Sequence, residues 1–291
     1  IIGIDNFNDY YDPILKERRI NDFLSGHEFK LYRVDITDKN ALLKVFEENK
    51  IDKICHLAAQ AGVRYSISNP DIYLQTNVVG TNNLLELAYK YKVSDFVFAS
   101  SSSVYGGNKN IPFSESDNVD HPISLYAATK KSNELQAYVY HHLYGLNCFG
   151  LRFFTVYGPW GRPDMAYYKF AESILNGKPI DVYNGGHHRR DFTYIDDIVF
   201  GIISALDKCS GYEIFNLGNN KPVELEYFIS IIENKLNKKA IKNYLPLQSG
   251  DVEETYANID KAKKILNYES KISIETGIEM FLNWYRIYYG K

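Results

Sequence analysis

Positive charge is not in excess here, cysteine is scarce, and no apolar run is long. Each shortage removes a class of function. Lys and Arg number 33 against 36 Asp and Glu, for a formal net charge of −3, and no basic run or tail occurs. Nucleic acid and anionic membranes are therefore poor partners. The 3 cysteines, Cys55, Cys148 and Cys209, are odd in number, far apart and contain no Cys-x-x-Cys pair. That argues against a zinc cluster and for a reducing, cytoplasmic compartment. His141-His142 and His187-His188 stand without other ligand types at metal spacing, so no metal is expected. No stretch approaches the ~20 apolar residues of a membrane span. The opening Ile1-Ile2-Gly3-Ile4-Asp5 lacks the basic region and cleavage site of a signal peptide, and no initiator Met precedes it. It reads as a buried strand caught in mid-protein, with the natural start expected upstream.

What is present alternates. Residues 1–4, 29–34, 51–57, 93–99 and 148–156 are strand candidates. Between them lie helical patterns: one capped by Thr37 or Asp38, one over residues 70–91, and one over residues 124–144. Strands joined through helices of this length predict βαβ units and a parallel sheet, an α/β, Rossmann-like doubly wound fold. After residue 156 the texture changes to a breaker-rich loop, Tyr157-Gly158-Pro159-Trp160-Gly161-Arg162-Pro163. Shorter elements, a Gly-Gly-His-His-Arg-Arg turn and a final helix over residues 274–288 follow it. The expected division is 1–156 for the sheet domain, with a return near 190–217, and 157–291 for a smaller C-terminal substrate domain. Ligands in such folds sit beyond the carboxyl ends of the strands. Here those ends are Asp5, Asp35, Ala58-Ala59-Gln60, the serine run and Phe153-Phe154-Thr155.

The chemistry points to residues 124–135 (SLYAATKKSNEL). Ser124 is a helix N-cap, and Tyr126 and Lys130, four apart, share one helical face. A phenol has a pKa near ~10, and a fixed cation lowers it. Bringing it to about 7 takes roughly 4 kcal/mol, part from the lysine and part from a cationic nicotinamide. Chance is the competing explanation, since the chain has 25 Tyr and the spacing recurs at Tyr105/Lys109. That second copy spans Gly106-Gly107-Asn108, a turn signal, so only the first lies on a credible helix. An acid ending a strand, as Asp5 does, accepts from a ribose 2′-OH and repels a 2′-phosphate, favouring NAD over NADP. The glycine fingerprint that belongs ~20 residues before such an acid would precede residue 1. Gly158-x-x-Gly161 is no replacement, because Pro159 and Pro163 are wrong for cradling a pyrophosphate. The first strand, glycine loop and first helix are accordingly expected to lie outside this sequence.

The segments 5–13, 56–65, 100–106 (SSSSVYG), 126–130, 151–163 (LRFFTVYGPWGRP) and 190–197 (RDFTYIDD) together resemble an extended short-chain dehydrogenase/reductase. More narrowly, they are similar to the UDP-glucuronate 4-epimerases. The resemblance implies that Tyr126 is general base and acid on the sugar 4-OH, that Lys130 tunes it and binds the nicotinamide ribose, and that Ser101 bonds the same hydroxyl. It implies an NAD site lined by Asp5, Asn6, Asn8, Asp35, Ile36, Leu57, Ala58, Ala59, Gln60 and Phe154, together with Tyr126 and Lys130. Asp181-Val182-Tyr183, Arg190 and Asp251 match positions holding uridine diphosphate, and Ser102, Ser103, Thr155 and Arg162 match positions holding the C6 carboxylate. Relatives that dehydrate carry an Asp-Glu pair after the catalytic Thr, and UDP-glucuronate decarboxylases carry a Glu nearby. Ser102 and Ser103 are poor acids and bases, which argues against both reactions. The expected activity is NAD-dependent 4-epimerisation of UDP-glucuronate to UDP-galacturonate. The alternatives are a UDP-glucose or UDP-N-acetylglucosamine 4-epimerase, or a non-catalytic, truncated Rossmann-like binding protein. A homodimer is implied, built from the two long helices.

Overall fold

A computed structural model describes residues 1–246 and 252–290 of the chain. The chain divides into two compact units. One comprises Ile1–Asn108, Glu115–Phe153 and Ile202–Phe215; the other comprises Lys109–Ser114, Phe154–Gly201 and Asn216–Lys291.

The first unit opens with β1 (Ile2–Ile4), α1 (Ile14–Phe23) and β2 (Lys30–Tyr32), the two strands pairing in parallel. Helix α2 (Lys39–Glu48) begins at Asp38, whose carboxylate accepts from the Asn40 and Ala41 amides that a helix start leaves open. Strand β3 (Lys53–His56) leads to the short helices α3 (Tyr65–Ser68) and α4 (Pro70–Tyr73). The helix predicted over residues 70–91 is interrupted. A π-helical stretch, Leu74–Gly80, separates α4 from α5 (Thr81–Lys90). Strand β4 (Asp95–Ser101) passes directly into a 3-10 turn, Ser102–Tyr105. Helix α6 (Leu125–Tyr144) starts where Ser124 Oγ accepts from the Ala127 amide and stops at Gly145, whose φ of 70° a glycine adopts freely.

The strand predicted over residues 148–156 is two strands, β5 (Asn147–Phe153) and β6 (Thr155–Tyr157), broken at Phe154. Then come α7 (Ala166–Leu175), β7 (Pro179–Tyr183), a 3-10 turn at Asn184–Gly186, β8 (Arg189–Tyr194) and α8 (Ile195–Lys208). Arg189 and Arg190, expected in a turn, begin β8 instead. The chain ends with β9 (Tyr212–Leu217), β10 (Pro222–Glu224), α9 (Leu225–Leu236), β11 (Ile241–Leu245), β12 (Glu254–Thr255), α10 (Asp260–Leu266) and α11 (Ile274–Tyr289).

The main sheet runs β3-β4-β5-β9, with β3, β4 and β5 parallel, and β1-β2 forms a separate pair. Phe96, Val97 and Phe98 of β4 are all fully buried, which is why this strand reads as an unbroken apolar run. In the second unit β8 lies antiparallel to β10 and parallel to β6 and β12, while β7 pairs in parallel with β11. The core of that unit is aromatic. Phe192 and Phe228 stack with centroids 4.4 Å apart, in one buried cluster with Tyr157, Tyr167, Tyr168, Phe281 and Tyr285.

Candidate active site

The first turn of α6 places Tyr126 and Lys130 one above the other. Lys130 is 3% exposed, and its Nζ donates to the Ala99 carbonyl of β4 at 2.7 Å. Burial lowers its pKa from 10.5 to about 8. Ala99 is the only acceptor the amine finds among the described residues, so two N–H directions remain for a ligand. His56, ending β3, is buried with Nε2 2.9 Å from Thr81 Oγ1. Burial, reinforced by the Lys130 charge, holds its pKa down at about 3, so the imidazole is neutral at physiological pH.

Beneath Tyr126 lies a polar network that sequence reasoning missed. Thr129 Oγ1 donates to the Tyr126 carbonyl at 2.8 Å and accepts from Asn77 Nδ2 at 3.0 Å. Asn77 also brackets Gln60, accepting from its amide at 2.8 Å and donating to its carbonyl at 3.0 Å. Asn133 Nδ2 closes the set on the Asn77 carbonyl at 2.7 Å. Asn77 sits in the π-helical stretch, and π turns recur at functional sites. Its signal in the sequence is faint: an amide inside the run Leu74 to Val79. The Tyr73 ring meets that of Tyr126 edge-on, 6.1 Å between centroids.

The serine run is held from behind by a buried ion pair. Ser101 Oγ accepts from the Ser103 amide at 3.1 Å, capping the turn that carries Ser102 and Ser103 and leaving its own proton to donate. Ser100 Oγ donates to Glu134 Oε1 at 2.6 Å. Arg152 grips both Glu134 oxygens, Nε to Oε1 at 2.8 Å and Nη2 to Oε2 at 2.9 Å, and donates from Nη1 to Tyr105 Oη at 3.0 Å. Burial opposes the guanidinium charge, but the Glu134 hydrogen bonds and charge outweigh it and raise the Arg152 pKa. One ion pair thus ties β4, α6, β5 and the 3-10 turn together around Ser101, Tyr126 and Lys130.

The residues expected to hold the dinucleotide also follow strand ends. Asp5, after β1, accepts from the Phe7 amide at 2.7 Å and Lys16 Nζ at 2.8 Å, both at Oδ1, leaving Oδ2 open. Asn6 Nδ2 donates to Asp35 Oδ2 at 2.7 Å and joins the ends of β1 and β2, while Asn8 donates its amide to Asn6 Oδ1. Burial disfavours the Asp35 charge, yet bonds from Asn6 and Thr37 leave its pKa below the usual range. Ile36 is buried against Gly80, where a Cβ would come within 2.6 Å of it. Leu57 and Ala58 are exposed and Ala59 is half-buried. Gln60 is 3% exposed, and its Nε2 is buried with no hydrogen-bond partner. An orphaned amide, a lysine with open donors and a strand-end carboxylate with a free oxygen fit a polyhydroxylated dinucleotide such as NAD.

The second unit carries the residues expected to hold substrate. Phe154 is buried, its amide donating to the Leu217 carbonyl, and Thr155 opens β6 opposite Phe192 of β8. On β8, Arg190 Nη1 donates to the carbonyls of Arg189 and Glu253. Neighbouring Asp191 is fully buried and accepts from the Asn219, Asn220 and Ala257 amides. Burial pushes its pKa up to about 6 despite those bonds. Asp181, Val182 and Tyr183 share β7; Asp181 accepts from Asn243 Nδ2, and the Val182 side chain is wholly in the core. Arg162 lies 3.4 Å from Asp164, and Asp251 falls outside the described residues.

A family model described as the NAD dependent epimerase/dehydratase family matches residues 1–218. The chain is 57% identical over 286 residues to an uncharacterized protein of Methanocaldococcus jannaschii, covering 98% of this chain and 87% of that one. It is 49% identical over 285 residues to the UDP-glucuronate 4-epimerase of Thermodesulfobacterium geofontis, covering 98% of this chain and 88% of the relative. Among solved structures it is similar to the Bacillus cereus UDP-glucuronic acid 4-epimerase in complex with UDP-glucuronic acid and NAD. That match has a TM-score of 0.91 and 35% identity, over 99% of this chain and 91% of the other.

Proposed function

The chain belongs to the NAD dependent epimerase/dehydratase family, and from that premise we propose that it interconverts UDP-glucuronate and UDP-galacturonate at C4. The observation that carries the reaction type is the buried Lys130 amine, one helical turn from Tyr126 and anchored two residues before Ser101. Tyr126 takes the proton of the sugar 4-OH and later returns it. Ser101, its oxygen already accepting from the Ser103 amide, donates to the same hydroxyl and steers it. Lys130 presents its positive charge to the phenolate side of that exchange and its spare N–H groups to ribose hydroxyls. When bound, NAD supplies the hydride acceptor and donor at C4, and it would be held by Asp5, Asn6, Asn8, Asp35, Gln60 and Lys130.

The likeness to two UDP-glucuronate 4-epimerases, at 49% and 35% identity, favours glucuronate over a neutral sugar. In the second unit Arg190, Asp181 and Tyr183 are assigned to the uridine diphosphate, an arginine being suited to a pyrophosphate. Thr155 and Arg162 are assigned to the C6 carboxylate. Incubating the protein and NAD with UDP-glucuronate and resolving the sugars by NMR tests this. UDP-galacturonate is the expected product; a UDP-xylose-type product, or turnover of UDP-glucose alone, would overturn it.

A homodimer is part of the same proposal. Leu135, Tyr138, Val139, Leu143 and Tyr144 make an exposed apolar face on α6, and Tyr89 of α5 stacks on Tyr144 at 4.0 Å. A second copy of this face is the proposed cover, which sedimentation equilibrium reads directly. A cytoplasmic setting fits the three free thiols, and no helix among the described residues is long and apolar enough to cross a membrane. Proteolysis of intact cells that left the protein uncut would agree with that placement, and cleavage at the surface would refute it.

A further inference from the structure

The loop that carries Arg162 is pinned in a way its sequence does not suggest. Trp160 has a φ of 61°, in the left-handed region that bulky side chains rarely enter. Glycine stands on both sides of the Pro159-Trp160 pair, so the chain has glycine available in this turn yet places a tryptophan at the constrained position. Its ring explains the choice. The Trp160 indole lies 5.3 Å from Trp284 at an interplanar angle of 46° and 5.3 Å from Tyr288 at 82°. Trp284 and Tyr288 are four apart on α11 and form one aromatic face. That face is itself fixed to the core, because Trp284 also packs on Tyr168 and Phe281.

Two further contacts hold the same loop. Gly158 presses on Ile195, where a Cβ would come within 2.6 Å, and Gly161 seats on the buried Tyr167, where a Cβ would fall 1.7 Å from Oη. Arg162 follows at once. Its side chain is 30% exposed, with Nε 3.4 Å from Asp164 Oδ1 and Nη2 3.4 Å from Met165 Sδ. Such contacts are long enough to yield to a better anion. A residue held in a sparsely populated backbone region, with its surroundings determining it this fully, marks a functional constraint.

We propose that Trp160, clamped by Trp284 and Tyr288, is a positioning residue that aims Arg162 at the substrate carboxylate and so sets the preference for a uronic acid over a neutral sugar. The inference rests on the assignment of Arg162 to the carboxylate made above. Trp160→Gly removes the ring while leaving a residue that adopts the same φ without strain. With the full chain and NAD, the affinities of UDP-glucuronate and UDP are measured for wild type, Trp160→Gly, Trp160→Phe, Arg162→Met and the Trp160→Gly/Arg162→Met double variant. Loss of one charge-assisted contact predicts that Trp160→Gly weakens UDP-glucuronate about tenfold and leaves UDP within about twofold. Trp160→Phe recovers part of the loss, and the double variant is no weaker than Arg162→Met alone, as expected if Trp160 acts through Arg162.

Equal weakening of UDP and UDP-glucuronate, or additive losses in the double variant, would show a role in folding alone and overturn the proposal. So would UDP-glucuronate affinity unchanged by Trp160→Gly while Arg162→Met lowers it. An Arg162→Met variant that binds UDP-glucuronate as wild type does would instead defeat the carboxylate assignment on which the inference stands.

Discussion

The neighbourhood of Tyr126 in the first unit and the packing around α11 in the second solve the same problem by opposite means. Around Tyr126 the buried groups are polar and, apart from the Gln60 Nε2, paired by directional bonds: Asn77 to Gln60 and Thr129, Glu134 to Arg152 and Ser100. Around α11 they are rings, with Phe281, Trp284 and Tyr285 packed on Tyr167 and Tyr168. Hydrogen bonds are directional and costly to leave half made, whereas ring packing adapts. The polar region therefore fixes individual atoms in direction, and the aromatic region fills space with rings. Removing single atoms should separate the two.

The largest effect is expected at the polar region's reacting end. Tyr126→Phe should lower the rate of epimer interconversion about 10³-fold, the scale of a lost acid–base group, while nucleotide-sugar binding by calorimetry stays near wild type. Turnover within about threefold of wild type would remove Tyr126 from the mechanism. Next comes the ion pair behind it. Glu134→Gln leaves the Arg152 charge buried against a neutral partner, and urea unfolding should show a loss of about 3–5 kcal/mol. Glu134→Leu combined with Arg152→Met should lose much less stability and still depress turnover, because Ser100 is left without its acceptor. If the double variant turned over like wild type, the pair would not position the serine run. The smallest effect belongs to the aromatic region. Tyr168 and Tyr289 share a hydroxyl–hydroxyl bond at the edge of the α11 packing, and Tyr168→Phe should cost about 1 kcal/mol by thermal unfolding without altering turnover. A loss as great as that of Glu134→Gln would erase the contrast between the regions.

Legibility in the sequence tracked the range of each interaction. The helix caps involve neighbours within a few residues: the structure has Ser124 where the sequence implied it, and Asp38 of the two residues offered, Thr37 and Asp38. Asn77 meets Thr129 from 52 residues away, and Arg152 meets Glu134 from 18, so neither could be paired from spacing. The helix expected over residues 70–91 was right in extent, but its centre is π-helical and carries Asn77, which bonds to Gln60 and Thr129. The strand expected over residues 148–156 divides at Phe154, whose amide turns aside to Leu217.

By itself the sequence determined the alternation that makes a parallel sheet, the helix that opens on Ser124, and the shared face of Tyr126 and Lys130, since each depends only on backbone period and local capping. Tertiary structure alone decided that the Lys130 amine is buried on a strand carbonyl, that Gln60 keeps an unmatched amide, and that Trp160 is bent onto α11. Those outcomes depend on which distant groups share a desolvated space, and no periodicity in the chain encodes that.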